Sequence, residues 1–266
     1  MMIKKIILTV LCACTLCAYA GEKVNEEMKV IAHRGGASLG AENTLVCIRK
    51  GILSGADAIE VDVHLSADGE LVVCHDETVN RTTNGSGRIE RLSLDQIRSF
   101  SIKGGEPGEK IPTLEEVVRE VKGNCILLLE VKKSREGQYP GIEDKIVELL
   151  NREGMMGQVV LQSFNDGVLE RFHALAPELP LEKLLICRLP FGLCFDIKLH
   201  RFSFEDYPYV RSFNSHHALT SRRFIRDAHE HGRTVRVWTV NKPSQVRKGV
   251  DAVITNYPQR FLSQEK

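Results

Sequence analysis

Residues 126–131 read Ile-Leu-Leu-Leu-Glu-Val. As an extended strand this short run is apolar on both faces, except for Glu130 near its end. A strand of this kind is typical of a parallel sheet covered by helices on both sides. Similar β-rich runs recur along the chain with helical segments between them, at 30–33, 58–63, 71–75, 126–131, 159–163, 184–187, 209–213, 235–239 and 252–255. This alternation predicts an α/β fold built around a parallel sheet.

Without the first 20 of its 266 residues, which have the pattern of a removable signal, the chain keeps 266 − 20 = 246 residues, a length that suits a (β/α)8 or TIM barrel. Nine strand-like runs compete for eight barrel positions, so at least one is expected to be accessory. The stretch between His75 and Ile126 is longer than an ordinary crossover of this fold, which predicts a small inserted subdomain after the third strand, at about 77–122. No repeat or linker divides the chain, and we expect 21–266 to form one barrel domain.

The first 20 residues have the pattern of an export signal. Lys4 and Lys5 precede an apolar run at 6–17, and Ala-Tyr-Ala at 18–20 has the small-x-small form of a signal peptidase site. The run is too short to span a bilayer. We therefore predict that residues 1–20 are removed and that the mature chain is periplasmic or secreted, without a transmembrane segment. A lipoprotein signal with Cys14 as the acylated residue is the second interpretation.

The charge balance is nearly even, with 36 Lys plus Arg against 35 Asp plus Glu. A near-neutral chain has no general electrostatic attraction for nucleic acid or for an anionic membrane.

Five cysteines lie outside the predicted signal, and an odd number of thiols does not pair completely. Most are interpreted as small buried hydrophobic residues. Cys187 and Cys194 are the exception, because they flank a loop in an oxidising compartment, where a disulfide between them is an open alternative.

Carboxylates interrupt two of the predicted strands near their ends. Glu60 and Asp62 are two residues apart in the run at 58–63, so their side chains point to the same face and repel each other. A divalent cation with hard oxygen ligands, Mg²⁺ or Ca²⁺, relieves that repulsion. Glu130 adds a third carboxylate, and Lys132 shares its face. The sequence thus predicts a metal site at one mouth of the barrel.

A hairpin is predicted around Asp68-Gly69, a strong two-residue turn signal. With these two residues at the centre of the turn, Asp62 would lie directly opposite His75, and directly opposed residues share a face. The predicted register places His75 beside the carboxylates. It also requires antiparallel pairing, which accounts for the ninth strand.

His33-Arg34-Gly35-Gly36 closes the first strand at the end where barrel sites lie. An imidazole, a guanidinium and two conformationally free glycines suit an anionic substrate that the backbone approaches closely. Together with three acids, His75 and Lys132, this inventory fits a phosphate ester better than a peptide or a sugar.

At these residues the sequence resembles the glycerophosphodiester phosphodiesterase family. The matching segments follow the family order between residues 31 and 258, and they are 33–35 (His-Arg-Gly), 42–44 (Glu-Asn-Thr), 60–62 (Glu-Val-Asp), 75–76 (His-Asp), 81–85 (Arg-Thr-Thr-Asn-Gly), 111–116 (Ile-Pro-Thr-Leu-Glu-Glu), 129–132 (Leu-Glu-Val-Lys), 163–164 (Ser-Phe), 238–241 (Trp-Thr-Val-Asn) and 254–258 (Ile-Thr-Asn-Tyr-Pro). Two positions depart from the usual pattern: Ala41 stands where Pro is common, and Asn256 where Asp is usual.

The resemblance implies a (β/α)8 barrel with an insertion after the His75 strand. It implies one divalent cation held by the acids matching Glu60, Asp62 and Glu130, joined in some members by the acid matching Glu42. The implied roles of the remaining positions are general base and general acid for His33 and His75, phosphate contacts for Arg34 and Lys132, and a border to the glycerol or alcohol moiety for Phe164 and Trp238.

The expected activity is metal-dependent hydrolysis of a small glycerophosphodiester to glycerol 3-phosphate and an alcohol, with His33 as base and His75 as acid. Two alternatives stay open at this point. One is a phospholipase acting on lysophospholipid or sphingolipid diesters, with residues 191–195 as an apolar lid. The other is a non-catalytic exported protein that binds phosphodiesters. The head group, the choice of ion and the oligomeric state are left open.

Overall fold

The computed structural model describes residues 28–262 apart from 136, 190–192 and 197–198. The predicted signal at 1–20 and Cys14 lie outside these residues.

Twelve strands are present in the described part of the chain. In chain order they are β1 (Lys29–Ala32), β2 (Ala58–Leu65), β3 (Leu71–Val73), β4 (Ile126–Val131), β5 (Val159–Ser163), β6 (Leu181–Leu185), β7 (Cys187–Leu189), β8 (Leu193–Phe195), β9 (Leu199–Arg201), β10 (Val210–His216), β11 (Thr234–Trp238) and β12 (Ala252–Thr255). The α-helices are α1 (Leu45–Leu53), α2 (Leu94–Ser99), α3 (Leu114–Val121), α4 (Ile142–Arg152), α5 (Asp166–Leu175) and α6 (Arg222–Glu230).

Eight of these strands pair in parallel in the order β1-β2-β4-β5-β6-β10-β11-β12, and β12 pairs with β1. The sheet therefore closes on itself, and the predicted (β/α)8 barrel is confirmed. No helix in the described residues combines the length and the apolar character needed to cross a bilayer.

The barrel strands are buried on both faces, as their composition indicated. Leu127 and Leu129 face outward and join the apolar layer under the helices, whereas Leu128 faces the interior with Ile31 and Ile254. The starts of α2 and α3 are fixed locally by capping boxes. The hydroxyl of Thr113 accepts from the N–H of Glu116, and the carboxylate of Glu116 accepts from the N–H of Thr113.

The β2–β3 hairpin is antiparallel, as expected, but its predicted register is wrong by one residue. Val63 pairs with Val73 and the amide of Cys74 donates to the carbonyl of Asp62, so Asp62 opposes Cys74 and not His75. The turn contains three residues, 67–69, because the N–H of Ser66 donates to the carbonyl of Glu70. Gly69 takes the left-handed conformation that such a turn requires, with φ of 82°.

Between β3 and β4 the chain builds a second, smaller apolar cluster. It contains buried residues from β3, from a 3-10 turn at Ile89–Arg91 and from α2, and its members are Val72, Cys74, Val79, Ile89, Ile97 and Ile111. Helix α3 follows this cluster and packs into the main core through Leu114, Val117 and Val121.

The run predicted at 184–187 overlaps the end of β6 and the first residue of β7. After β6 the chain forms a three-stranded antiparallel sheet, β7-β8-β9, that was not predicted from the sequence. Cys187 pairs with Phe195, and Cys194 pairs with Arg188, so the two cysteine side chains leave opposite faces of this sheet. Both are free thiols, and the disulfide alternative is not realised. The segment 191–195, which the phospholipase alternative assigns to an apolar lid, lies only partly within the described residues, and Leu193–Phe195 form β8.

Candidate active site

Three carboxylates meet inside the barrel at the carboxyl ends of β2 and β4. Asp62 pairs directly with Glu130 across the parallel ladder, and Glu60 lies two residues before Asp62 on the same face. One oxygen from each of the three side chains lies within 4.8 Å of the others, and all three residues are buried. This confirms that the sequence pattern brings Glu60, Asp62 and Glu130 together.

Two cations face the three acids. Lys132 Nζ lies 2.8 Å from Asp62 Oδ1 and also pairs with Glu130, while Arg34 Nε lies 3.8 Å from Asp62 Oδ2. Burial would raise the pKa of Asp62, but Lys132, His75 and Arg34 outweigh it and hold the pKa below its usual range. Burial and the neighbouring carboxylates raise the pKa of Glu60, and burial raises that of Glu130. Ionisation of all three acids together is therefore disfavoured without a further positive charge, as expected where a cation is to bind.

Main-chain and amide donors fix the orientation of the carboxylates. The N–H of Arg34 donates to Glu60 Oε2 at 2.8 Å, and Gln162 Nε2 donates to Glu60 Oε1 at 3.3 Å. Asn43 Nδ2 donates to Asp62 Oδ2 at 2.9 Å. Gln162 was not among the expected site residues, although an amide in the buried strand β5 is the kind of polar interruption that singled out the acids.

Arg34 adopts the left-handed region with φ of 53°, which turns its N–H toward Glu60. Gly35 and Gly36 continue the positive φ angles, at 84° and 89°. A Cβ on Gly35 would lie 3.0 Å from the N atom of Ile48 in α1. These glycines therefore serve the turn and its packing on α1, and not only the approach of a substrate.

His33 follows β1 and presents Nε2 toward the site, 4.0 Å from Glu60 Oε2. Its Nδ1 donates to Asn256 Oδ1 at 2.6 Å, because an amide oxygen only accepts. Burial, reinforced by the Arg34 charge, lowers the pKa of His33 to about 4. The ring is accordingly neutral near pH 7, with its free lone pair on Nε2.

His75 belongs to the same cavity although it does not oppose Asp62. Strand β3 ends at Val73, and the chain then leaves the sheet, which returns the imidazole to the mouth of the barrel. Its Nδ1 donates to Asp76 Oδ1 at 2.8 Å, and Asp76 also accepts from Arg81 Nε at 2.8 Å. Burial and the Lys132 charge lower the pKa of His75.

Glu42 is not a member of the three-carboxylate group. Its carboxylate accepts from Arg34 Nη1 at 2.9 Å and from both terminal nitrogens of Arg81 at 2.7 and 2.8 Å. Burial opposes ionisation, but Arg81 and Arg34 lower the pKa of Glu42. In this arrangement Glu42 holds Arg34 in place beside the acids.

A cavity of about 270 Å³ joins these groups. His33, Arg34, Glu60, His75, Glu130 and Lys132 line one part of it, and Phe164, Leu184, Trp238 and Ile254 line another. The rings of Phe164 and Trp238 meet edge to face with centroids 5.8 Å apart. A charged floor beside an apolar wall suits a ligand with an anionic group and a small carbon skeleton.

The chain is similar in sequence to known proteins of one enzyme family. The model of the glycerophosphoryl diester phosphodiesterase family matches residues 33–260. A glycerophosphodiester phosphodiesterase of Caldanaerobacter subterraneus subsp. tengcongensis is 34% identical over 248 residues, covering 88% of this chain and 96% of that protein.

Two solved structures also resemble this chain over most of its length. An Oleispira antarctica phosphodiesterase in complex with the product sn-glycerol-3-phosphate is 28% identical with a TM-score of 0.76, covering 88% of this chain and 94% of that one. A glycerophosphodiester phosphodiesterase from Parabacteroides distasonis is 25% identical with a TM-score of 0.71, again covering 88% of this chain and 94% of that one.

Proposed function

Because the chain belongs to the glycerophosphoryl diester phosphodiesterase family, we propose that it is a metal-dependent phosphoric diester hydrolase that converts glycerophosphodiesters to glycerol 3-phosphate and an alcohol. The observation that carries the proposal is the convergence of three buried carboxylates, two histidines and two cations on one cavity. Neither a phospholipase nor a non-catalytic binder is favoured by the relatives or by the site.

The residues present fit a divalent cation. Three buried carboxylates with hard oxygen donors converge, and the charges of Asp62 and Glu130 add to burial in raising the pKa of Glu60. Glu60, Asp62 and Glu130 would hold the ion, and we propose Ca²⁺ or Mg²⁺ on the chemistry of this donor set. When bound, such an ion polarises a phosphoryl oxygen as a Lewis acid.

The cations of the chain itself bind and orient the phosphate. Lys132 and Arg34 are both mostly buried, with side chains 15% and 18% exposed, so their charges act with little screening. Glu42 and Asp62 hold the Arg34 guanidinium from two sides. The two positive groups stabilise the negative charge that builds on the phosphoryl oxygens in the transition state.

The two histidines divide the proton transfers. His33 Nε2, with its lone pair free, accepts a proton from the attacking water or from the neighbouring hydroxyl of the glycerol. His75, whose Nδ1 is engaged by Asp76, donates from Nε2 to the leaving alkoxide as the bond from phosphorus to oxygen breaks. Phe164 and Trp238 border the glycerol.

We propose further that the enzyme acts outside the cytoplasm. This part of the proposal is supported by the sequence pattern of residues 1–20 alone.

Glu60→Ala and Glu130→Ala test the metal-dependent function. Each variant is dialysed against chelator and then supplied with Mg²⁺ or Ca²⁺. Its rate of glycerophosphocholine hydrolysis should be lower than that of the wild type by roughly 10³-fold or more, because each variant lacks one of the three acids proposed to hold the catalytic cation. Asp95→Asn, an exposed acid on α2, is the matched control and should retain wild-type rates. Full activity in the two glutamate variants, or in chelated wild-type enzyme, would refute the assignment.

A further inference from the structure

A second cavity of about 250 Å³ opens beside the catalytic one. The two share His75, Glu130, Lys132 and Phe164, so they meet where the phosphate is proposed to bind. The apolar wall of Trp238, Leu184 and Ile254 belongs to the first cavity only. A diester bound with its glycerol against that wall therefore extends its other substituent, the leaving alcohol, into the second cavity.

Most polar groups that line the second cavity are already engaged by the protein. His64 Nδ1 accepts from the Tyr139 hydroxyl at 2.9 Å, and its Nε2 contacts the carbonyl of His75 at 3.3 Å. Ser163 Oγ donates to the carbonyl of Val131 at 2.9 Å, and Asn165 Oδ1 accepts from the N–H of Gly167 at 3.0 Å. These side chains line the cavity, but they are bonded within the protein and provide no charge to bind a ligand.

Glu77 and Lys133 differ from these residues. Glu77 lies on the segment that leaves β3 and Lys133 on the segment that leaves β4, so they reach the cavity from different elements. Both are exposed at its mouth, and within the described part of the chain neither has an ion-pair partner, including each other. An acid and a base that face one cavity without pairing are both available to a ligand.

We propose that the second cavity is a head-group site selective for an alcohol that carries both an ammonium and a carboxylate, with Glu77 pairing the ammonium and Lys133 the carboxylate. This inference rests on the proposed function, since it names the substrate class of the same site. A serine-type head group has this pair of charges on three carbons, and its volume is well below that of the cavity. Neither a choline nor a glycerol head group offers a carboxylate to Lys133.

The test compares kcat/KM on three diesters: glycerophosphoserine, glycerophosphoethanolamine and glycerophosphoglycerol. They carry, in turn, both charges, the ammonium alone and neither. Glu77→Gln should lower the serine-to-glycerol and ethanolamine-to-glycerol ratios by about tenfold each, as expected for one charged hydrogen bond. Lys133→Gln should lower the serine-to-ethanolamine ratio by about the same factor and leave the ethanolamine-to-glycerol ratio within about twofold.

Asp95→Asn is the matched control for a lost surface charge and should leave all three ratios unchanged. Ratios that stay within about twofold of wild type in both the Glu77 and Lys133 variants, with turnover of all three diesters, would overturn the head-group site and leave the proposed function standing. Wild-type enzyme that hydrolyses none of the three diesters in the presence of Mg²⁺ or Ca²⁺ would overturn the proposed function, and this inference with it.

Discussion

Asn256 decides which nitrogen of His33 carries the proton. Its amide oxygen accepts from Nδ1 at 2.6 Å, which leaves the Nε2 lone pair directed into the site. The side-chain amide is neutral where family members usually have a carboxylate, so it orients the ring without adding a negative charge that would raise the pKa of His33. A hydrogen-bond partner of this kind sets the tautomer on which a general base depends.

Asn256→Ala should therefore lower kcat by roughly 10- to 100-fold, the range seen when the group that orients a functional histidine is removed. KM should change much less, because Asn256 does not line the substrate cavity. Asn256→Asp keeps the acceptor and is the matched control that should retain most of the activity. Steady-state kinetics of both variants on one soluble glycerophosphodiester decide the matter, and an alanine variant with wild-type kcat would rule out this role.

The individual ligands could be predicted from the sequence, whereas the residues that orient them could not. Alternation along a strand places Glu60 and Asp62 on one face without any knowledge of the rest of the chain. Asn256 reaches His33 across 223 residues, and Gln162 reaches Glu60 across 102. Contacts of that separation follow from the closure of the barrel and have no local pattern in the sequence.

At the level of elements, Lys183 fastens the β7-β8-β9 sheet to the barrel. Its side chain leaves β6 fully buried, and Nζ lies 2.7 Å from Asp196 Oδ2, 2.9 Å from Asp166 Oδ1 and 2.6 Å from the carbonyl of Phe164. Asp196 directly follows β8, and Asp166 is the first residue of α5. One ammonium thus joins three separate segments.

Lys183→Met should reduce the free energy of unfolding by about 3–5 kcal/mol, the usual cost of breaking a buried ion pair by removing one of its two members. The sheet should also become the first site of cleavage in limited proteolysis, because its link to β6 is lost. Lys145→Met, which removes an exposed lysine of α4, is the control and should change stability by less than about 0.5 kcal/mol. Urea unfolding of both variants measures the difference; equal stabilities would contradict the anchoring role.

Local sequence patterns predict that a hairpin or strand is present better than they predict its exact boundaries. The dipeptide Asp68-Gly69 correctly marks a hairpin, but it does not state whether the turn holds two residues or three. The third residue, Ala67, shifts the register and places Cys74 opposite Asp62. The strands β7, β8 and β9 have three residues each, too few for a periodicity to be read. Their contact with the barrel through Lys183 and Asp196 joins separate segments, and no local pattern predicts it.

For the molecule as a whole, the barrel interior is divided into an apolar and a polar part. Ile31, Leu128 and Ile254 fill one side. On the other side a chain of hydrogen bonds crosses five strands: Arg236 pairs with Glu182, Asn214 Nδ2 donates to Glu182 at 2.7 Å and to Gln162 at 2.8 Å, and Gln162 donates to Glu60. Each interior polar group in this chain thus has a partner, which is the condition for burying it at all.

Arg236→Met removes the only cation that pairs with Glu182 in the described residues, and its effect should depend on pH. Burial already raises the pKa of Glu182, against the opposing influence of Arg236, so the variant should raise it further. A buried acid with a raised pKa binds its proton in the folded state before it does so in the unfolded state. The variant's stability should therefore fall as pH rises through the folded-state pKa, and be partly regained in acid.

We expect a loss of about 3 kcal/mol at pH 8 and a clearly smaller loss near pH 5 in urea unfolding. The double variant Arg236→Met with Glu182→Met removes both charges and should recover much of the stability at pH 8, because apolar pairs of similar volume replace buried ion pairs at little cost. An equal loss at both pH values, unrelieved in the double variant, would mean that Arg236 contributes packing and not charge. In that case the polar side of the interior would be held by Asn214 and Gln162 alone.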